Sequence, residues 1–217
     1  MRAKWLICAL VLVLAVVAAV FGVLHFERKA APQTAQAPLS VPAPVVKAPV
    51  AAKSFCTAET TELLMNRTYV VDMIDVPLKF KSGVFHGHEG ENVVYAGFLG
   101  PRKGEILSAC GDLTGSGSQD NIVAFDANDG GSYTLVYLVP VLVKDGQLLN
   151  GKPFLLGDRV GVTQISIANH ILVIDYTGHG PNMGLCCPDT AKTIHLKLVG
   201  NKLECADTAC TTTMQND

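Results

Sequence analysis

The sequence lacks any cluster of basic residues. Its 217 residues carry 17 Lys and Arg against 19 Asp and Glu, which gives a formal net charge of −2 at pH 7. Proteins that bind nucleic acid neutralise phosphates with clustered Lys and Arg side chains. The near-neutral balance therefore excludes nucleic acid as a partner.

Familiar catalytic motifs are missing as well. The sequence contains no Ser-centred nucleophile elbow, no zinc signature and no phosphate-binding loop. These motifs place reactive groups in a defined geometry, which an enzyme requires. We therefore predict no catalytic residue and no cofactor, and we favour a binding or structural protein.

Residues 5–24 contain no charged side chain. At about 1.5 Å per residue in a helix, this segment can cross a hydrocarbon layer of about 30 Å. Arg2 and Lys4 precede it, and positive residues ahead of a first apolar segment favour an N-terminus in the cytoplasm. Residues 1–29 are therefore predicted to form a single-pass anchor in the inner membrane, with the C-terminal domain in the periplasm or outside the cell.

A cleaved signal peptide is the alternative interpretation of this segment. Residues 17–19, Val-Ala-Ala, offer small side chains at which a signal peptidase could cut. Cys8 lies at the start of the apolar run, where lipidation would leave no signal sequence in front of it. We interpret Cys8 as a passive apolar residue in the membrane.

Residues 30–53 are dominated by Ala, Pro, Val and Gln. Closely spaced prolines prevent a helix from propagating, so this segment is predicted to be a flexible linker. In polyproline conformation, at about 3.1 Å per residue, it would hold the following domain well clear of a membrane. Residues 54–217 are predicted to form that domain.

The cysteines of the predicted domain indicate disulfides, because an even set in an exported domain is typically oxidised. They are Cys56, Cys110, Cys186, Cys187, Cys205 and Cys210. Cys56 and Cys110 are the first-choice pair. Cys205 and Cys210 either close on each other or staple the loop that holds the adjacent cysteines.

Cys186 and Cys187 have three interpretations. The α-carbons of neighbours lie about 3.8 Å apart, whereas disulfide partners prefer roughly 4.4 to 6.8 Å, so a bond between them would be strained. Each pairs elsewhere, or they form a static vicinal bridge, or they act as a redox pair.

The secondary-structure pattern is a helix followed by strands. Residues 57–66 predict the helix, because Thr57 can cap it and Glu59 favours the first turn. Predicted strands cover residues 68–71, 78–80, 84–85, 93–98, 122–125, 133–143, 147–156, 160–167, 171–174 and 193–199. The predicted fold is mainly β (α+β), an antiparallel β-sheet domain with one short N-terminal helix.

Two short connections, at residues 144–146 and 168–170, predict antiparallel hairpins between apolar runs. Apolar and polar residues alternate over 193–199, which is typical of a strand with one buried face. This alternation predicts that His195 faces solvent.

Residues 171–188 concentrate the reactive groups of the sequence. An apolar strand is followed by a loop rich in Gly and Pro, and loops of this kind commonly carry recognition. The predicted binding residues are Asp175, Tyr176, His179 and Asn182, beside Cys186 and Cys187. An enzyme that uses Asp175 and His179 as an acid–base pair, with a nearby thiol, is the alternative.

Two further groups resemble metal ligands. Asp112, Thr114, Ser116 and Asp120 have the spacing of a calcium loop, but replacing acids by hydroxyls weakens affinity, so we favour a metal-free turn over weak calcium binding. His86 and His88 flank a glycine in a segment predicted to be a solvated loop. Since even an open zinc site needs three protein ligands, no metal is predicted there.

An ordered set of motifs resembles the LppP/LprE-like family of bacterial exported proteins and lipoproteins. The motifs are Gly111-Asp112-Leu113-Thr114-Gly115, Gly130-Gly131-Ser132, Leu156-Gly157-Asp158-Arg159-Val160, Thr177-Gly178-His179-Gly180-Pro181 and Cys186-Cys187-Pro188. The resemblance covers approximately residues 63–205. It implies a cell-envelope domain without assigned catalytic residues. Separately, we predict an envelope protein or the cell wall as the partner of this domain. Relatives often carry a more acidic loop at positions 111–117 and a lipoprotein signal, which this sequence lacks.

Overall fold

The structure, a computed structural model, describes residues 55–101, 105–180 and 187–214. Within these residues the elements are α1 (Ala58–Met65), β1 (Thr68–Tyr69), β2 (Leu78–Lys79), β3 (Val84–Glu89), β4 (Asn92–Phe98), β5 (Ser108–Gly111), β6 (Asp120–Asn128), β7 (Leu135–Lys144), β8 (Gln147–Asn150), β9 (Phe154–Asp158), β10 (Gly161–Ala168), β11 (Ile171–Gly178), β12 (Thr190–Val199), β13 (Lys202–Cys205) and α2 (Thr208–Met214). The predicted mainly β fold is confirmed. The predicted anchor and linker lie outside the described residues, and none of the described helices is long and apolar enough to span a membrane.

Helix α1 begins where the sequence predicts it. Thr57 is the N-cap, and its Oγ1 accepts a hydrogen bond from the backbone N–H of Thr60 at 3.2 Å. This bond satisfies one of the donors that the first helical turn leaves without an intrahelical partner. Leu64 is buried whereas Leu63 is 55% exposed, so the helix packs on the domain through one side.

A central sheet has the strand order β3-β4-β6-β7-β8, with β5 paired to β6 and β9 paired to β7. Residues 120–125 of β6 and 135–141 of β7 are buried without interruption. A strand covered on both faces is a continuous apolar run rather than an alternating one. This explains why the sequence signalled these two strands so clearly.

An outer sheet, ordered β10-β11-β12-β13, packs on one face of the central sheet. The shared core includes Ile122, Ala124, Val136, Leu138 and Leu156 of the central sheet, and Ile165, Leu172, Ile174, Tyr176, Ile194, Leu196 and Leu203 of the outer sheet. Full burial of one such aliphatic side chain stabilises the fold by about 1.5–3 kcal/mol. Along β12, Ile194 and Leu196 are buried while His195 is exposed, so the predicted alternation is confirmed.

The opposite face of the central sheet is covered by α1 and by the small sheet of β1 and β2. Tyr69 and Phe80 lie against Phe125, with ring centroids 5.4 Å and 5.1 Å from it. Aromatic pairs at this separation add to the hydrophobic stabilisation of burial. The described domain therefore has three layers, with the central sheet in the middle.

Both predicted hairpins are confirmed. Asp145 and Gly146 connect β7 to β8 with φ of 51° and 73°. Asn169 and His170 connect β10 to β11 with φ of 51° and 63°. Two central residues with positive φ characterise the turn whose twist matches that of the flanking strands.

The predicted strand 147–156 is wrong, because the chain forms β8 and β9 with a break between them. At the break, the Gly151 N–H donates to the Pro140 carbonyl at 2.7 Å, and Pro153 has no N–H with which to continue a ladder. Strands β5 and β13 and helix α2 were not predicted. They are short, and short segments carry little periodic signal.

The predicted loop at His86 and His88 is also wrong. Strand β3 continues to Glu89 and pairs with β4 residue by residue, from Val84 opposite Gly97 to Glu89 opposite Asn92. Strand propensity depends strongly on the neighbouring strand, so pairing with β4 overrides the weak strand preference of the His-Gly-His segment.

The described domain contains the predicted disulfide between Cys56 and Cys110, whose α-carbons lie 5.6 Å apart. It ties the start of α1 to β5 across 54 residues of sequence. Cys205 and Cys210 close on each other, which resolves the alternative that the sequence left open. Cys187 is disulfide-bonded as well, and Cys186 lies outside the described residues.

Candidate functional site

Asp175 lies near the end of β11 in the middle of the outer sheet. It is half-buried and stands between Gln164 of β10 and Thr193 of β12, on the face that points away from the central sheet. Its Oδ1 accepts a hydrogen bond from Thr193 Oγ1 at 2.6 Å, and its main-chain carbonyl accepts one from Thr163 Oγ1 at 3.0 Å. The carboxylate is therefore held in a defined position on the solvent side of the sheet.

Tyr176 points in the opposite direction. It is 2% exposed and belongs to the core shared by the two sheets. Successive side chains of a strand alternate between its faces, and β11 continues to Gly178 rather than ending at residue 174 as predicted. Tyr176 was predicted to be a binding residue, but it packs in the core beneath the outer sheet and does not reach the solvent face on which Asp175 lies.

His179 follows β11 and is 3% exposed. Its Nε2 lies 2.9 Å from the main-chain carbonyl oxygen of Asp158. A carbonyl oxygen only accepts hydrogen bonds, so Nε2 carries the proton in this contact. The bond ties the outer sheet to the end of β9 in the central sheet, and it places His179 in the interior while Asp175 lies on the open face.

Asp158 and Arg159 form an ion pair next to His179 that the sequence pattern did not single out as a site. Arg159 Nη2 lies 2.6 Å from Asp158 Oδ2, and the Thr134 N–H donates to Asp158 Oδ1 at 2.8 Å. Arg159 has φ of 57°, in the left-handed region that non-glycine residues seldom adopt. Its backbone N–H donates to the Thr134 carbonyl at 2.7 Å, which holds this conformation.

The pKa of Asp158 lies below its usual range. Desolvation by itself would raise it, but the hydrogen bonds from Arg159 and from the Thr134 N–H, together with the charges of Arg159 and His179, outweigh that effect. The carboxylate is therefore ionised at neutral pH and engaged by its neighbours. The sequence feature that could have indicated this ion pair is the Gly-Asp-Arg segment before β10. We used that segment only as one of the motifs of the family resemblance.

Cys187 is the one remaining predicted residue of this segment that lies within the described residues. Asn182 and Cys186 lie outside the described residues, whereas Cys187 is exposed. The Asp189 N–H donates to the Gly178 carbonyl at 3.2 Å, so the chain returns to the end of β11 before β12 begins.

The Asp112 loop forms a tight turn between β5 and β6. Asp112 Oδ1 accepts backbone hydrogen bonds from Gly115 at 2.7 Å and Ser116 at 3.1 Å, and Oδ2 accepts one from Gly117 at 2.9 Å. Thr114 Oγ1 lies 2.7 Å from Ser116 Oγ. Desolvation opposes these bonds, yet their net effect lowers the pKa of Asp112. The carboxylate oxygens of Asp112, which a calcium ion would need as ligands, are thus already hydrogen-bonded to backbone N–H groups.

Asp120, the last residue of the calcium-like spacing, is fully buried. Its Oδ2 accepts the N–H groups of Leu113 and Thr114, both at 3.2 Å, and its Oδ1 accepts the N–H of Val143 at 2.9 Å. Asp120 therefore joins the loop to strand β7. Both of its carboxylate oxygens accept hydrogen bonds from backbone N–H groups, so its role is structural.

His86 and His88 are exposed on β3, and the ring of His86 contacts that of Tyr95. Among the described residues, no group of three or more His, Cys, Asp or Glu side chains is arranged to hold a metal ion. The imidazole pair therefore has no third protein ligand of these types within the described part of the chain.

Two cavities of the described domain are bounded by residues other than the predicted binding residues. One, of about 460 Å³, is lined by residues that include Met65, Tyr95 and Phe98, and another, of about 430 Å³, by residues that include Leu107 and Val162. Neither is lined by Asp175 or His179, and their walls are mainly apolar.

No protein-family model, curated protein or solved structure matches this chain. The resemblance to the LppP/LprE-like family therefore stays a prediction from its motifs.

Proposed function

We propose that this chain is a non-enzymatic binding module of the cell envelope, anchored in the inner membrane through residues 5–24. The domain of residues 54–217 then stands in the periplasm or outside the cell, at the end of the linker of residues 30–53. The order of anchor, linker and cysteine-bearing domain along the sequence supports this arrangement. The Cys56–Cys110 and Cys205–Cys210 disulfides support it as well, because disulfides persist in oxidising compartments.

The separation of Asp175 from His179 is the observation that carries the proposal. General acid–base catalysis requires both groups to reach one substrate. Here Asp175 bonds to Thr193 on the open side of the outer sheet, whereas His179 is buried against Asp158. This arrangement favours a contact surface over a catalytic pair.

The proposed contact surface is the solvent side of the outer sheet, which we name the Asp175 face. Its residues are Ser166, Ile171, Val173, Asp175, Thr193 and His195. Ile171 and Val173 are half-buried, while Thr193 and His195 are exposed. A partly apolar centre within a polar rim is the anatomy of a protein interface, so the occupant we propose is an envelope protein rather than a cell-wall polymer.

Site-specific photocrosslinking in membranes that carry the full-length chain tests this surface. A photoreactive amino acid at position 193 is expected to give a discrete protein adduct, because the side chain of this position stands on the Asp175 face. The same amino acid at position 62, exposed on α1 in the opposite layer, serves as the matched control and is expected to give none. His195→Glu should reduce the adduct at position 193, whereas Glu62→Arg should not.

Three different results would each contradict a different part of the proposal. Equal adducts from positions 193 and 62 would show that the Asp175 face is not the contact surface. An adduct with a cell-wall polymer would replace the protein partner. Turnover by the wild-type chain in a hydrolase or thiol-oxidoreductase panel that Asp175→Asn abolishes would make the chain an enzyme.

Fusions after Asp217 test the proposed membrane orientation. Alkaline phosphatase is active only outside the cytoplasm, so we expect an active phosphatase fusion and a dark fusion to a fluorescent protein that matures only in the cytosol. An inactive phosphatase fusion together with bright fluorescence would contradict the proposed orientation.

A further inference from the structure

His86 and His88 stand on the same face of β3, at one edge of the central sheet. Residues two apart on a strand point to the same side, and their α-carbons lie about 6.8 Å apart. Gly87 points to the other side, where an added Cβ would collide with the ring of Phe85. The glycine therefore serves the packing of Phe85 and does not separate the two imidazoles.

Tyr95 of β4 restrains the first imidazole. It pairs with His86 across the strands, and the two rings meet edge to face with centroids 4.5 Å apart and an angle of 74° between their planes. Such a contact limits the rotation of the His86 ring. A ligand group that is already oriented loses less conformational entropy on binding.

The imidazole pair is open to solvent. The outer sheet covers the same face of the central sheet at Ala124 and Val136, but it does not reach the strands at the β3 edge. There Val93, opposite His88, is 55% exposed, and Tyr95 is 44% exposed. An ion can therefore approach both imidazoles and keep water on its remaining positions.

We propose that His86 and His88 together form a surface site for Cu²⁺. Two protein ligands are too few for a zinc site, which takes at least three. Cu²⁺ binds a given set of nitrogen ligands more tightly than the other divalent first-row metals, and its tetragonal geometry accepts two imidazoles with water in the remaining positions. From the sequence, we predicted a loop at His86 and His88 and no zinc site, because a third ligand was lacking. In the structure, strand β3 holds both imidazoles on the same face of the sheet.

Copper titration of the full-length chain tests the site. The chain is purified in detergent without a polyhistidine tag, treated with a chelator to remove metal, and alkylated so that no thiol binds copper. Equilibrium dialysis is expected to show one Cu²⁺ per chain, and electron paramagnetic resonance to show nitrogen ligation. His86→Ala or His88→Ala should each lower the affinity by about tenfold or more, since each removes one of the two protein ligands.

Matched variants separate this site from unspecific copper binding. His195→Ala removes an exposed strand histidine from the outer sheet and should leave the affinity unchanged. Tyr95→Phe keeps the ring contact and should also leave it unchanged, whereas Tyr95→Ala should weaken binding by releasing His86. Affinity that is equal in wild type, His86→Ala and His88→Ala, or a spectrum without nitrogen ligation, would overturn the proposal.

Discussion

The imidazole Nε2 of His179 and the main-chain carbonyl of Asp158 lie 2.9 Å apart, and this contact joins the ends of two strands that belong to different sheets. His179 is 3% exposed, so its imidazole makes this bond from the interior of the domain. The sequence predicted His179 to be a binding residue, whereas in the structure it connects the outer sheet to the central sheet. Its substitution should affect stability before it affects binding.

We expect His179→Ala to lower the free energy of unfolding by about 1–3 kcal/mol, because it removes a buried imidazole and leaves the half-buried Asp158 carbonyl without this donor. His179→Gln is the matched control, since its side-chain amide can place a donor near the position of Nε2. It should recover part of the loss. Urea unfolding followed by circular dichroism measures both, and an unchanged midpoint in His179→Ala would contradict the assigned role.

Removing the two described disulfides should have unequal effects. In the chain-entropy account, a cross-link stabilises more when it closes a longer loop. The Cys56–Cys110 bond spans 54 residues and the Cys205–Cys210 bond spans 5, which corresponds to roughly 4 and 2 kcal/mol. Paired Cys→Ser variants, unfolded in urea, should show this order, and a larger loss from the shorter loop would contradict it.

Calcium should not bind the Asp112 loop with micromolar affinity. The oxygens of Asp112 accept N–H groups from Gly115, Ser116 and Gly117, and an ion would have to displace these bonds. The neighbouring Asp120 carboxylate cannot compensate without losing its own bonds to backbone N–H groups. Isothermal titration calorimetry of the wild-type chain measures this directly. Saturable micromolar binding that Asp112→Ala abolishes would show that the loop is a calcium site.

Ser116→Asp supplies the complementary experiment for this loop. The substitution adds a carboxylate at an alternate position of the calcium-like spacing, where hard cations find their usual ligands. We expect it to increase calcium affinity relative to wild type. Glu62→Asp, remote from the loop on α1, serves as the control and should leave calcium binding unchanged.

Acid should remove the stabilisation that Asp158 provides. Its pKa in the folded protein is lowered, so its contribution is present above the unfolded-state value of about 3.9 and is lost as the pH falls through the folded-state pKa. Asp158→Asn should therefore be less stable than wild type at pH 7, and the two should converge in acid. Urea unfolding between neutral pH and pH 3 tests this, and a constant difference would contradict it.

Asp126 serves as a control, because its effect on stability should depend on pH in the opposite direction to that of Asp158. Burial raises its pKa, although the Gly97 N–H, which donates to Oδ1 at 3.2 Å, partly offsets the effect. A raised pKa favours folding below the unfolded-state value, and this stabilisation is lost as the pH rises through the folded-state pKa. Asp126→Asn keeps an acceptor for Gly97, so it should be more stable than wild type at pH 7 and lose that advantage in acid.

Local chemistry in the sequence was sufficient to predict several elements of the domain. Thr57 caps α1, the turns after Lys144 and Ala168 form hairpins, and β12 alternates as expected. In each case the determining interactions lie within a few residues of one another. The first-choice disulfide between Cys56 and Cys110 was also correct, since both cysteines flank elements that the sequence had already located.

The candidate site was decided by contacts between distant parts of the chain. Strand β11 carries Asp175 outward and Tyr176 inward, and this assignment depends on where the central sheet lies. The burial of His179 depends on Asp158, which is distant in sequence. A short apolar run predicts a strand, but it does not specify which face is covered, because coverage comes from another layer.

The sequence by itself determined the β class, the hairpins, the helix cap and the residues from which a site could be built. Only the tertiary structure decided that His86 and His88 share a strand face, that Asp158 and Arg159 pair beside His179, and that Asp175 stands apart from both. The reason is physical: caps and turns are satisfied by neighbouring backbone groups, whereas strand pairing and the packing of sheets join residues that the order of the chain keeps far apart.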